Sequence, residues 1–580
     1  MKSLLITILL GFSSQVIAQQ LNSYFVPMDD GVKLAVDVHT PEVYKEGELP
    51  VLIQFERYWR SSLDKNTPEA GPGLTDRDKF FNDNGYIVVI VDTRGTGASF
   101  GTRLSEYSPI EVMDASTVLD WVVAQPWSNG RVGSYGTSYT GTTAELLCAT
   151  KHESIKAVIP GWSDFDLYRS PARPYGLIAT KFIKKWGMYV KFLDRNKSML
   201  LGSSINPVIE DSLKAALAEH KDNIDVYTMV KEGEYRDSDN IPYNYEECSV
   251  VHWKKQIEES KVPMLVLASW MDAGTAEGTI QRLEHFSNPQ KILLMATAHG
   301  GWCNASPFAV QDTLYYPKPL MQEQTQLELD FLDHYVKGID KGVEEWPLIK
   351  YYNLGEEEFR TSNEWPIAGT REINYYFQKE GGLTTLKPTE PSGSDDYKVD
   401  FSVYTSKKNR WTTQMEGPVF NLNNRNEMDE RMLVYTSEPA KEDIQITGTP
   451  VVSLQMSSTH TDGAVLVYLE DVDENGNSTY ITEGGLRLIH RAKLADTSSS
   501  LNLHSFNEAD AKLMTPYVVD DVEFKLWPTS VLIKKGHSIR IAIAGADKSV
   551  FDRLPKNGTP VINIQRSSTQ LSFVTLPVVE

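Results

Sequence analysis

Cysteine is scarce in this chain: there are three in 580 residues, Cys148, Cys248 and Cys303. None falls into the Cys/His spacings that hold zinc, so no metal and no cofactor is expected. An odd count leaves at least one thiol outside any disulfide, and only a Cys248–Cys303 bridge is considered. Cys148 sits in an apolar helical stretch and reads as core. Basic residues are also in deficit, 57 Lys and Arg against 78 Asp and Glu, for a net charge of −21. Nucleic acid and anionic membranes both need a basic footprint, so neither is an expected partner. Apolar runs of bilayer-spanning length are missing, which argues against membrane insertion. No internal repeat or low-complexity tract is present, and nothing in the sequence fixes an oligomeric state.

The N-terminus carries a short basic head, Met1-Lys-Ser, then the apolar run Leu4 to Phe12 and small residues ending at Ala18. This is the pattern of a secretory signal peptide over 1–18. It predicts an exported bacterial protein, periplasmic or secreted, whose mature chain starts at Gln19.

From there to about 161 strand and helix patterns alternate. Residues 22–42 read as a hairpin turning at Asp29-Asp-Gly31. Pro50–Phe55, Tyr86–Val91, 131–135 and Lys156–Pro160 read as buried strands, with helices over Leu74–Asn84 and Pro109–Ala124. Pro263–Ala268 and Lys291–Ala296 continue the series, followed by a helix from Leu320 to Val336. Such alternation predicts a parallel sheet covered on both faces. Between 162 and 255 it stops, and helical patterns over Ile178–Phe192 and Pro207–His220 suggest an inserted cap. From 367 to 580 short strands and Gly, Asn and Ser turns predict an all-β domain, a jelly roll. The expected division is thus 19–161 and 256–366 for an α/β-hydrolase fold, 162–255 for its helical cap and 367–580 for the β domain.

The chemistry centres on Arg131-Val-Gly-Ser-Tyr-Gly-Thr-Ser138-Tyr-Thr-Gly141, a strand, a sharp turn and a helix start with one serine at the apex. A serine so placed needs a base and a third group to orient that base. Both follow: Asp272 after strand 263–268 and His299 after strand 291–296, in the Ser, Asp, His order of α/β-hydrolases. The N–H of Tyr139 and the phenol of Tyr58 are candidate donors to an oxyanion. Trp59, Asp164, Asp166, Trp270 and Glu277 are candidate substrate contacts.

The sequence resembles the serine hydrolases grouped around cocaine esterase, glutaryl acylase, α-amino-acid ester hydrolase and X-prolyl dipeptidyl aminopeptidase, the CocE/NonD-like proteins. The matching text is Arg57-Tyr58, Asp92-Thr-Arg-Gly-Thr-Gly-Ala-Ser99, Gln125-Pro-Trp-Ser-Asn-Gly-Arg131 with the elbow that follows, Trp270-Met-Asp272, Phe331-Leu-Asp-His-Tyr-Val-Lys-Gly338, Thr447-Gly-Thr-Pro450 and Glu483-Gly-Gly-Leu-Arg487. The elbow is distinctive, because its second glycine lies three residues after the serine instead of two. The resemblance implies an α/β-hydrolase domain, a helical cap and a C-terminal jelly roll of the galactose-binding-like kind, with Tyr58 as oxyanion donor. Two departures stand out. Ala296-Thr-Ala298 replaces the family's Gly-Pro-Trp before the histidine, and Ala273-Gly-Thr275 replaces the acidic residues with which amino-acid ester hydrolases hold an ammonium. Three functions are expected in descending order: cleavage of a small-molecule acyl ester or amide, X-prolyl dipeptidyl-peptidase activity, and non-catalytic carbohydrate binding.

Overall fold

The computed structural model describes residues 20–64, 74–197, 203–309, 317–406, 409–416, 424–494 and 503–580. The signal sequence read over 1–18 lies outside the described residues.

Ten strands form the main sheet. They are β1 (Gln20–Pro27), β2 (Lys33–Thr40), β3 (Leu49–Glu56), β4 (Ile87–Asp92), β5 (Ser128–Thr137), β6 (Ile155–Gly161), β7 (Met264–Ser269), β8 (Gln290–Met295), β9 (Ile349–Asn353) and β10 (Glu358–Ser362). Their order is β1-β2-β4-β3-β5-β6-β7-β8-β9-β10. The pairings from β4 through β9 are parallel, while β1–β2, β2–β4 and β9–β10 are antiparallel. All residues of β4 and β7 are buried, which the unbroken apolar runs Ile87–Val91 and Met264–Ala268 require of strands covered on both faces.

Helices α1 (Asp76–Asp83), α2 (Pro109–Val123) and α3 (Tyr139–Leu146) connect the first strands. The Thr75 hydroxyl caps α1 by accepting from the Asp78 N–H, and Ser108 with Glu111 forms a capping box on α2. Three further helices, α4 (Thr180–Leu193), α5 (Glu210–Glu219) and α6 (Val226–Glu232), lie in the region read as a cap. The α4 face that buries Phe182, Ile183, Val190 and Leu193 follows the helical period. The helix expected over Leu320–Val336 ends earlier as an α-helix, at Leu332, and continues as a wider turn over Asp333–Lys337 that closes at Gly338.

Beyond residue 367 the chain is rich in strands, with all but one of the pairings among its described residues antiparallel. Ala464–Val472 is buried along its whole length between Ser478–Arg487 and Ser538–Ala544. This β-rich part packs directly on the end of the main sheet and on the segment before α4. Trp527 donates its indole N–H to the Tyr175 hydroxyl at 2.5 Å, and Asn353 at the end of β9 exchanges hydrogen bonds with Gln445. Cys148, Cys248 and Cys303 are buried thiols with no disulfide joining them. No helix among the described residues is long and apolar enough to cross a membrane.

Two glycines make the β5–α3 turn sterically possible. A Cβ at Gly136 would lie 2.2 Å from the Thr140 carbonyl carbon, and one at Gly141 would lie 2.4 Å from the Gly161 carbonyl oxygen. The late second glycine therefore lets α3 cross the end of β6. Gly141→Ala is expected to destabilise the protein by about 1–3 kcal/mol through overpacking against backbone. The urea midpoint measures this, and an unchanged midpoint would show that the turn has slack.

Candidate active site

Ser138 stands between β5 and α3 with φ 64° and ψ −122°, a left-handed conformation that a serine adopts only under constraint. The constraint is visible. The Ser138 N–H donates to the Gly161 carbonyl at 2.9 Å, and the Thr140 hydroxyl accepts from the Thr137 N–H at 2.8 Å. The Ser138 hydroxyl takes no part in capping α3. Tyr139 is the first residue of α3, and an N–H at that position has no acceptor within its helix.

Asp272 and His299 follow β7 and β8, adjacent parallel strands, and so emerge side by side at one edge of the sheet. His299 Nδ1 lies 2.7 Å from Asp272 Oδ2. Asp272 is fully buried. Burial alone would depress the His299 pKa, but the Asp272 charge, the hydrogen bond to it and the Asp164 charge together raise it above the usual histidine value.

Ser138, His299, Tyr58 and Asp164 line one cavity of about 350 Å³. Its other walls are largely apolar and come mainly from the region read as a cap, including Phe182, Ile183, Trp186, Val226 and Met229, with Tyr107 from the loop before α2 and Met415 from the C-terminal part. Tyr58 follows β3, and the Glu56 carboxylate fixes its backbone by accepting from the Arg57 and Tyr58 N–H groups at 2.7 and 2.6 Å. The Tyr58 hydroxyl oxygen accepts from the Trp186 indole at 2.9 Å, which leaves its own proton to donate. Burial keeps that phenol protonated, well above its ordinary range. Trp186 lies on α4, so the cap helps to orient this donor, a role the sequence did not signal.

A buried charge cluster locks the Tyr58 loop to the end of α4. Arg57 pairs with Asp194 at 3.1 Å and with Glu106 at 3.4 Å, while Arg103 pairs with Asp194 at 2.9 Å and also with Glu106. Although burial raises the Asp194 pKa, the two guanidiniums outweigh it and hold the carboxyl at about 2.

The other expected substrate contacts divide. The Asp164 carboxyl faces the cavity, with Oδ1 buried and without a hydrogen-bond partner. Burial, with the Asp272 charge adding to it, pushes this carboxyl up to about 7. Trp59, Asp166, Trp270 and Glu277 are not among the lining residues. Trp59, at φ 79°, donates its indole to the Leu193 carbonyl at 3.2 Å, and Trp270 donates to the Tyr352 carbonyl at 2.7 Å. Asp166 pairs with Arg236 at 3.3 Å and Glu277 with Arg169 at 2.5 Å. These four side chains are engaged within the fold. No group of three or more His, Cys, Asp or Glu side chains among the described residues could hold a metal ion.

Residues 30–301 match the family model described as X-Pro dipeptidyl-peptidase (S15 family), and residues 341–575 match that of the X-Pro dipeptidyl-peptidase C-terminal non-catalytic domain. The chain is 34% identical to a Mycobacterium bovis protein assigned by inference as a serine esterase, over 96% of this chain and 95% of that one. It belongs to the S15 family of serine hydrolases. Cocaine esterase from Rhodococcus sp. is 23% identical over 96% of this chain and 98% of its own. Among solved structures, a CocE/NonD family hydrolase from Staphylococcus aureus superposes with a TM-score of 0.74 at 19% identity, over 96% of this chain and 93% of that one, a likeness of fold. The S15 protein is therefore a hydrolase, and the expectation of a non-catalytic carbohydrate-binding protein is set aside.

Proposed function

We propose that this S15 hydrolase cleaves a small acyl ester or amide through an acyl-enzyme on Ser138. His299 takes the serine proton as Ser138 attacks the carbonyl, then delivers it to the leaving alcohol or amine. Water, deprotonated by His299, releases the acid and restores the serine. Asp272 holds the imidazole by Nδ1, and the Tyr58 phenol and Tyr139 N–H bind the oxyanion. The observation that carries this reading is the His299–Asp272 contact of 2.7 Å, with His299 lining the same cavity as Ser138, a serine at φ 64°. The proposal extends to the remaining sequence expectations: export on the leader 1–18, hydrolase segments 19–161 and 256–366, a cap over 162–255, and a jelly roll over 367–580.

A second reading, X-prolyl dipeptidyl-peptidase activity, is favoured by the family model and by the unpartnered Asp164 oxygen, which could accept from a peptide ammonium. Paired assays with p-nitrophenyl butyrate and Gly-Pro-p-nitroanilide separate the two. Esterase activity alone is expected, and a kcat/KM higher on the dipeptide anilide would reverse the order.

The pH dependence follows from the site. His299 acts as a base only when neutral, so activity is lost as pH falls through its raised pKa, and the acid limb of kcat/KM should lie above about 6.5. Asp164→Asn removes one of the charges that raise this pKa, so the limb should move to lower pH. A limb that stays in place would show that Asp164 does not act on His299.

A further inference from the structure

The C-terminal domain of this family is described as non-catalytic, yet one of its side chains reaches the acid of the proposed triad. Asp272 is fully buried, and each carboxylate oxygen needs a donor. Oδ2 faces His299. The N–H groups around Asp272 are committed elsewhere. Met271 donates to the Ser269 hydroxyl, Ala273 to the Arg410 carbonyl, Gly274 to the Ser170 hydroxyl and Thr275 to the Asp272 carbonyl. The donor to Oδ1 is the Thr413 hydroxyl, at 2.6 Å. Thr413 Oγ1 also lies 2.7 Å from the Arg410 carbonyl. Its single proton has two acceptors in reach, and the charged carboxylate is the stronger.

The segment that brings Thr413 here is fixed at both ends of the contact. On the hydrolase side, Arg410 donates to the Trp270 carbonyl at 2.8 Å and to the Ala273 carbonyl at 2.9 Å, while its own carbonyl accepts from Ala273 at 2.9 Å. On the other side, the Trp411 indole donates to Glu483 at 2.8 Å and Asn409 donates to the Ser549 hydroxyl at 3.1 Å. Arg410 therefore ties down the backbone of the acid loop, and Thr413 extends the contact from this segment to the carboxylate itself.

We propose that Thr413 is a positioning residue for catalysis. It fixes the rotation of the Asp272 carboxylate so that Oδ2 meets His299 Nδ1. The C-terminal domain thereby completes the triad's hydrogen-bond chain. This rests on the Ser138, His299 and Asp272 assignment made above.

The test compares Thr413→Val and Thr413→Ser in the full-length protein on p-nitrophenyl butyrate. Thr413→Val keeps the volume and removes the donor, so kcat should fall roughly 10- to 100-fold, the worth of one hydrogen bond to a charged group. KM should stay within about twofold, because Thr413 does not line the cavity. Thr413→Ser restores the hydroxyl and should restore kcat. The rate of fluorophosphonate inactivation should follow kcat through the series. If Thr413→Val fails to fold, Thr413→Ala, which adds no atoms, takes its place. A kcat equal to the parent's without the hydroxyl, or an equal fall in Thr413→Ser, would overturn the proposal. A parent protein that does not react with fluorophosphonate would instead overturn the triad itself.

Discussion

Ser138→Ala is expected to lower kcat on an activated ester by about 10⁵ to 10⁶, the scale seen when a serine nucleophile is removed. The residual rate would come from the oxyanion donors and the cavity, which the substitution leaves in place. The same change should barely touch stability. The Ser138 hydroxyl caps nothing in α3, and the turn is held by the Ser138 N–H to Gly161 and by Thr140 to Thr137. Alanine inherits the strain at φ 64° and adds none. Unfolding free energies of parent and variant should agree within about 0.5 kcal/mol. A large loss of both activity and stability would mean that the hydroxyl serves the fold.

Tyr58→Phe is expected to reduce kcat by about 10² to 10³ with little change in KM, because an oxyanion donor strengthens its bond only as charge develops. The effect requires the phenol proton to be available. That availability follows from Trp186, whose indole supplies the other hydrogen bond at 2.9 Å. Loss of the hydroxyl also strands the Trp186 N–H, so a stability cost of about 1–3 kcal/mol should accompany the kinetic one. Steady-state kinetics with a denaturation curve on the same preparation reads both. An unaltered kcat would leave the Tyr139 N–H to act with some other donor.

The parallel sheet was legible because its strands are buried on both faces, and runs such as Ile87–Val91 and Met264–Ala268 are short and continuously apolar, as buried strands are. Ser138, Asp272 and His299 stood out as candidates because each directly follows such a strand, where parallel topology gathers loops at one edge. Charged residues near the site were harder to place. Asp166 and Glu277 look like ligand contacts in sequence, but Arg236 and Arg169 engage them in the fold, and no local pattern announces a partner 70 or 108 residues away. Trp59 and Trp270 were equally hard to place: both stand next to candidate residues but send their indoles to the backbone carbonyls of Leu193 and Tyr352. Trp186 and Thr413 carry no such signal in the sequence. An amphipathic period shows which face of α4 is buried, not which side chain meets Tyr58, and Thr413 lies 141 residues from Asp272 in a segment with no chemical motif.

If Ser138 is the nucleophile, it forms a covalent adduct with a serine-directed inhibitor. The full-length protein is treated with a fluorophosphonate, digested, and mapped by mass spectrometry. One adduct per chain is expected, on the peptide that carries Ser138, absent from Ser138→Ala and slowed at low pH as His299 protonates. An adduct on another serine, or an unmodified Ser138 in protein that still hydrolyses esters, would show that Ser138 is not the nucleophile.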